Sequence, residues 1–411
     1  MSVPRVLHVV ESWPPVPSGY ASRSRWIVAT QARTGVARPA VLVTSRQGVY
    51  GEPAAAALEG VAVELAPVPA VERVLRAARA PLGRPFHVDG AALARRIEAA
   101  ARAHASEVVH VHWASAIGAA AARAARRLGL PLVAELRFDL AGAMFAQGAG
   151  GRVAFAEPAA RRWFDRHLRD ARAIVVASDA LGRFVRARVP ARAAEVTVVP
   201  NGIDDAFLAA CDAAREARAR DADVGGAPVV IGTTSKMLRY EGLETLLDAA
   251  AALPDAELLF VGDGPERARL EALAGPLNAG ARPRVRFAGR VPADEIPAHL
   301  AAIDVFAVPR RDLSITRHAS PIKVVEAMAA ARCTVGAAVG DVTALLEGGC
   351  GLLVEPEDPA AFARALARAV ADRGLRDRLG GAARARVLET YRGDALVGRY
   401  REVYARALGP G

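Results

Sequence analysis

The chain has 411 residues, 52% hydrophobic and 24% charged, with a formal net charge of +10. That length predicts two domains and the composition excludes a disordered chain, while no apolar run approaches the ~20 residues of a membrane span. Cys211, Cys333 and Cys350 are too widely spaced for a disulfide framework or a zinc site, and the excess positive charge points to an acidic partner.

The opening segment, MSVPRVLHVVESWPP, lacks a signal peptide's long apolar stretch and reads as a first strand, which places the protein in the cytoplasm. Apolar runs then alternate with amphipathic stretches, the pattern of parallel sheets with crossover helices. The runs of the first half are 6–10, 40–43, 61–65, 108–111, 132–136, 174–177 and 196–199, with helices predicted over 91–104, 115–128 and 179–189. Pro200-Asn201-Gly202 makes a turn, because Pro fixes φ and Asn-Gly tolerates positive φ. An Ala/Arg/Asp-rich helix over 206–223 leads to Gly225-Gly226, and a second series of runs follows at 229–233, 257–261, 285–288, 304–308, 334–336 and 352–354. Helices close the chain at 358–371, 375–389 and 394–408. Two α/β halves joined at a proline turn predict two doubly wound, Rossmann-like domains facing a central cleft, with ligands at the carboxyl ends of the strands.

Four loops at such strand ends carry candidate chemistry. Ser12–Arg23 follows the first strand; Gly19 would let backbone amides approach a ligand, and a helix beginning near Ser22 would aim its positive end there. The loop is not GxGxxG, so a dinucleotide fold loses its main support, and an ordinary Pro-rich connection stays open. Lys236 follows a strand and precedes a helix opening near Gly242-Leu243, a place for a phosphate. Phe260–Glu266 holds two glycines in a tight turn, with Pro265 suited to the first position of the next helix. In His318–Met328, Ser320 is read as the helix cap and Pro321 as its first residue, which puts the Lys323 ammonium in the first turn beside free amides. A cation there makes sense if an anion sits between it and the helix end. Glu326, three residues on, would accept hydrogen bonds from a vicinal diol; a surface Lys–Glu pair is the alternative.

Lys236 and Lys323 are also the only lysines among 54 basic residues, as if arginine had replaced lysine wherever a guanidinium suffices. His110 and His112 share one strand face without an evident third metal ligand and read as buried or pocket-lining histidines. Asp221-Ala-Asp223, in a charged linker helix, is discounted as a metal motif. The Arg-rich stretches 73–84 and 161–192 read as solvated helix faces, with a membrane-facing role as the alternative. With aromatics at 5% and arginines separated by alanines, no stacking platform for nucleic acid is visible.

Taken together, Val199–Asp204, Val261–Glu266, Phe287–Val291, Asp304–Pro309, Lys323–Met328 and Gly351–Pro356 resemble retaining glycosyltransferases of family 4, which have the two-domain GT-B fold. Ser18-Gly19-Tyr20 with Arg23 and Arg25, then Val43–Gly48, is similar to the branch associated with exosortase and exopolysaccharide gene clusters. The resemblance implies an acceptor-binding domain over 1–202, a nucleotide-sugar-binding domain over 203–390 and a helix over 391–411 crossing back to the first. Three departures stand out. Lys236 takes the place of the family's arginine and Glu241 that of its lysine; His318 replaces the first of two glutamates, the second being Glu326; and Arg137 replaces a histidine after the fifth run. Lys323 is read as restoring the charge that Glu241 removes.

The implied reaction moves a sugar from a nucleoside-diphosphate donor, UDP by default and GDP as an option, to a hydroxyl with retention. The acceptor is a small molecule or a lipid-linked glycan, and peripheral contact with the inner face of the membrane is left open. Lys236, Lys323, the Ser320-Pro321-Ile322 helix end and Gly19 would meet the diphosphate, whose charge grows in the transition state. Glu326 would hold the ribose and Arg290-Val291 would border the base. Glu135 and Arg137, facing the cleft, would orient acceptor or sugar hydroxyls. Two cations on the diphosphate would make a metal unnecessary, and no other cofactor is implied. A GT-B phosphorylase or epimerase, or a nucleotide-sugar-binding paralogue without transfer activity, are the rival readings.

Overall fold

The computed structural model describes residues 2–16, 18–45, 47, 55–66, 90–112, 116–139, 157–221, 228–280 and 284–409. The chain divides into two compact units, Met1–Pro200 with Gly393–Gly411, and Asn201–Arg392. In the first unit β1 (Arg5–Val10), β2 (Arg38–Val43), β3 (Ala62–Leu65), β4 (Val108–His112), β5 (Leu132–Leu136), β6 (Ala173–Val176) and β7 (Val196–Val198) form a parallel sheet in the order β3-β2-β1-β4-β5-β6-β7. In the second, β8 (Val229–Thr234), β9 (Ala256–Val261), β10 (Val285–Gly289), β11 (Val305–Val308), β12 (Cys333–Ala337) and β13 (Leu352–Val354) form a parallel sheet in the order β10-β9-β8-β11-β12-β13. Both are doubly wound α/β sheets.

Each sheet is covered on both faces, which explains why its strands read as continuous apolar runs. On β1, Leu7 and Val9 join the core beneath the helices Gly90–Ala103 and Ala116–Leu128, whereas Val6 points to the opposite face and packs with Leu396, Tyr400 and Tyr404 of the terminal helix Gly393–Leu408. The strand order reverses between β1 and β4 and again between β8 and β11. These switch points are where open α/β sheets leave a crevice beyond the strand ends. The Ser12–Gly19 segment follows β1 and Lys236 follows β8, so two of the four candidate loops leave a switch point.

Several boundaries differ from expectation for local reasons. The first helix opens at Gly19, not near Ser22, because Ser18 Oγ accepts the Ala21 amide at 3.1 Å. Ser320 does not cap its helix: the helix is Ile322–Ala329, Pro321 holds the cap position with extended backbone, and no side chain caps it. Helix Arg267–Asn278 starts two residues after Pro265, with Glu266 as its cap residue. In the stretch 161–192, Arg161 pairs with Asp139 at 2.9 Å and Arg188 with Asp165 at 2.6 Å, so part of that charge is internally matched. The stretch 73–84, Arg46, Gly48, Ser115, Asp223 and Gly225-Gly226 lie outside the described residues. Among the described residues no helix is long and apolar enough to cross a membrane.

Candidate active site

In the second unit the loops after β8, β9 and β11 are built against one another. The Ser235 amide donates to Val261 O, and the Met237 amide to Asp263 O at 3.0 Å. Gly262 has φ +127, and a Cβ there would lie 2.0 Å from Ser235 O, so only glycine permits this approach. Gly242 is held likewise at φ +64, where a Cβ would stand 2.1 Å from Pro309 O. The packing brings the end of β8 and the residues following β11 together.

Their meeting point is a buried charge cluster. Lys323 Nζ donates to Glu241 Oε2 at 2.5 Å and to Ser235 Oγ at 3.0 Å. Arg310, two residues past β11, clasps the same carboxylate, Nε to Oε2 at 3.2 Å and Nη2 to Oε1 at 3.0 Å. Burial would raise the Glu241 carboxyl, but Arg310 and then Lys323 outweigh it and bring it down to about 2. Burial pulls the Lys323 ammonium down, with Glu241 opposing. Lys323 therefore does not stand as a free replacement for a lost cation, as the sequence suggested. It shares Glu241 with Arg310, and the two cations and one anion leave a net single positive charge. An ammonium has three donors and two are engaged here, so one remains for a ligand.

Lys236 is exposed, adjoins the cluster through Ser235, and makes no ion pair with a described residue. Glu326 is half-buried on the Lys323 helix, and its carboxylate makes no hydrogen bond or ion pair with any described residue. Burial, opposed by Lys323, pushes its carboxyl up to about 7. Arg290 is exposed and Val291 half-buried just after β10, where the Gly262 amide donates to Gly289 O at 2.7 Å. His318 is half-buried, its Nδ1 3.5 Å from Ser314 Oγ. Asn201 Nδ2 donates to Ser320 O at 3.0 Å, tying the Pro-Asn-Gly turn to the backbone ahead of the Lys323 helix. Neither this tie nor Arg310 was anticipated; both lie in apolar-to-polar junctions whose partners are over 60 residues away.

In the first unit Gly19 is exposed at the first position of its helix. Glu135, expected to face substrate, is instead fully buried. Its Oε1 accepts from Arg23 Nε at 2.9 Å and Arg137 Nε at 3.1 Å, and its Oε2 from the Tyr400 hydroxyl at 2.7 Å. Burial would raise this carboxyl, but Arg23 and then Arg137 hold it well below the usual range. A carboxylate so enclosed positions its neighbours and does not touch a substrate. Arg23, which the sequence offered only as part of a motif, donates onward to Pro200 O and Val199 O, both at 2.7 Å. Arg137, 8% exposed, donates to Tyr20 O at 2.5 Å and to Ser24 Oγ at 3.0 Å, and its guanidinium stacks 4.2 Å from the Tyr20 ring centre.

The third histidine missing from the sequence reading is His8. Register pairs His8 with His110 and His112 with Glu135, so one face of an apolar sheet carries a polar patch. The available signal was a polar side chain interrupting three successive buried runs. Ligand-type atoms of His8, His110 and His112 lie within 4.8 Å of one another, the one such group among the described residues. The donor set does not fit a cation. Arg137 Nη2 is 2.6 Å from His112 Nδ1 and can only donate, which leaves the imidazole proton on Nε2, the atom 3.0 Å from His8 Nδ1. Burial holds all three imidazoles below the ordinary histidine range, and Arg23 and Arg137 add positive charge alongside.

A family model described as "Glycosyltransferase Family 4" matches residues 50–207, and one described as "Glycosyl transferases group 1" matches 228–372. The chain is thus similar in each half to a glycosyltransferase domain. It is 31% identical over 212 residues to the lipopolysaccharide core biosynthesis glycosyltransferase LpsE of Rhizobium meliloti, an alignment covering 51% of this chain and 58% of that one. It is 29% identical over 289 residues to the alpha-D-kanosaminyltransferase of Streptomyces kanamyceticus, covering 68% and 72%. The fold of this chain superposes on the Anabaena HepE protein, solved in complex with UDP, with a TM-score of 0.70 at 20% identity over 97% and 99% of the two chains. The two sheets are thus those of the GT-B fold.

Proposed function

We propose that the chain transfers a sugar from a nucleoside-diphosphate sugar to an acceptor hydroxyl with retention at the anomeric carbon. The observation that carries this reading is the Lys323–Glu241–Arg310 cluster at the β8/β11 switch point, beside the exposed Lys236 and Glu326, whose carboxylate no described residue claims. The leaving diphosphate accumulates charge as the glycosidic bond breaks, and cations already fixed in place stabilise it without reorganising. Lys236 and the third Lys323 donor meet that charge, with the Ser320–Ile322 backbone at the helix end as a further anion-facing group. Arg310 holds Glu241, and Glu241 holds Lys323 in its rotamer.

Glu326 is suited to the ribose diol. Its two oxygens are unclaimed by described residues, and two hydroxyl donors would repay the desolvation that raises its carboxyl. The backbone at Arg290 and Val291 borders the base. UDP is the default nucleotide, in keeping with the UDP in the HepE complex, and no metal enters the scheme. The first unit takes the acceptor, with Arg137 nearest to it, and the lipopolysaccharide core in the LpsE name favours a glycan acceptor. The testing experiment offers UDP- and GDP-sugars with a panel of glycan, inositol and aminocyclitol acceptors, and follows release of nucleoside diphosphate and the anomeric configuration of the product. Binding of UDP with no donor cleavage across the panel would replace a transferase by a binding paralogue.

A further inference from the structure

The partners of His112 and His8 fix the direction of a chain of buried hydrogen bonds that runs from Arg137 to Tyr404. Because Arg137 donates to His112 Nδ1, His112 Nε2–H donates to His8 Nδ1 at 3.0 Å. His8 must then carry its proton on Nε2, which donates to Gln31 Oε1 at 3.1 Å. The Gln31 amide nitrogen in turn donates to the Tyr404 hydroxyl at 3.0 Å. The Tyr404 hydroxyl also stands 2.8 Å from His110 Nδ1 and 3.2 Å from Gln31 Oε1, either of which can take its proton. His110 Nε2 faces Glu135 Oε2 at 3.5 Å without a hydrogen bond, and Glu135 Oε1 accepts from Arg137 Nε, which brings the ring back to its start. His8 and His112 are neutral with their protons on Nε2, and each has one way to satisfy its neighbours.

Two members of this arrangement come from the terminal helix. Tyr404 turns the ring between Gln31 and His110, and Tyr400 occupies the remaining oxygen of Glu135. At the other end Arg137 holds the Tyr20 carbonyl and ring, one residue after Gly19, at the β1/β4 switch point. We infer that Tyr404 and Tyr400 are positioning residues for the transfer reaction, acting through the histidine ring and Glu135 on the guanidinium of Arg137 and the turn it holds. The inference rests on the proposed transferase reading for its link to turnover, while the ring itself does not depend on it. The bonds from Arg137 through His112 and His8 to Gln31 run in one direction, so loss of the Tyr404 hydroxyl orphans the Gln31 amide and is passed back toward Arg137, because each orphaned partner must reorient or take a new proton position.

The test uses the full chain with Tyr404→Phe and, separately, Tyr400→Phe, each removing one hydroxyl and little volume. Acceptor kcat/KM is expected to fall on the order of tenfold in Tyr404→Phe, from misplacement of Arg137, with donor KM unchanged because the donor residues belong to the other unit. Nitrogen spectra of histidine- and arginine-labelled protein are expected to show His8 and His112 as Nε2–H imidazoles in the wild type. In Tyr404→Phe the His110 and His112 signals and the Arg137 Nε–H signal should shift together. Unchanged imidazole and arginine signals, or a wild-type His112 protonated on Nδ1, overturn the ring. Shifted signals with unchanged acceptor kcat/KM overturn the positioning role. If Tyr404→Phe does not fold, the same readouts on Tyr400→Phe decide, through the Glu135 side of the ring. A wild-type chain that transfers no sugar defeats the transferase reading by itself, and the nitrogen spectra then decide the ring alone.

Discussion

Glu135 and Glu241 are buried carboxylates each set between two cations, one in each unit, and they leave different things for a ligand. Around Glu135 everything is spent: Arg23 goes on to two backbone carbonyls, Arg137 to a carbonyl, a hydroxyl and an imidazole, and Tyr400 takes the last oxygen. Around Glu241 the lysine retains a donor, an exposed second lysine stands beside it, and a carboxylate on the same helix has no described partner. The same motif of charge therefore builds a scaffold in one unit and a receptive site in the other. Saturation of donors, not burial or charge count, separates the two.

The largest effect expected from this contrast is on stability. Glu135→Gln should cost about 3–5 kcal/mol of unfolding free energy, because two buried guanidinium groups lose their anion; urea denaturation reads it, and a cost below that of Glu241→Gln would reverse the comparison. Next, Lys323→Ala and Lys236→Ala should each lower turnover by about 10²–10³-fold while leaving the fold intact by circular dichroism. Near-wild-type turnover in either variant would remove that lysine from the diphosphate. Lys323→Arg should lose activity by on the order of tenfold, since a planar fork cannot reach both Glu241 and an anion as the ammonium does; full activity would show that any cation serves.

The smallest effect concerns pH. Glu326 has its carboxyl raised from 4.5 to about 7. Donor KM should fall as pH rises through about 7, because the ionised form accepts from the diol. Stability should run the other way. The native state binds more protons than the unfolded chain between those values, so this group's contribution is complete below 4.5 and lost as pH rises through about 7. Glu326→Gln should flatten both profiles, and a pH-dependent donor KM surviving in that variant would assign the titration elsewhere.

Much of the fold was legible because each strand is a short apolar run between turn residues; Leu132–Leu136 and Leu352–Val354 match their predicted spans. Helix starts were less so. Ser320 and Pro321 have the residue types of a cap and first turn, yet the backbone turns helical a residue later, with Asn201 holding the Ser320 carbonyl. Lys323 and Glu326 were visible as polar groups placed on one helix face. What could not be read was which charges they meet. Arg310 reaches Glu241 across 69 residues because β11 lies beside β8, and His8 reaches His112 across 104 because β4 lies beside β1. Strand order creates those neighbours, and no local pattern encodes it. Glu135 was misjudged for the same reason, since Tyr400 arrives from 265 residues downstream.

The division of the chain places Gly393–Gly411 with the first unit, so the second is inserted between the two parts of its partner. During synthesis the strands of the first sheet emerge early, but Val6, Val133 and Val175, which Trp26 and Ile27 cover in part, lack the rest of their cover until Leu396, Val403 and their neighbours have been made. The histidines and Glu135 wait with them, short of two hydroxyls. The intervening unit holds all six of its strands within its own stretch of chain and can close its sheet first. The order of assembly is thus the reverse of the order of translation: the half that leaves the ribosome first is the half that finishes last.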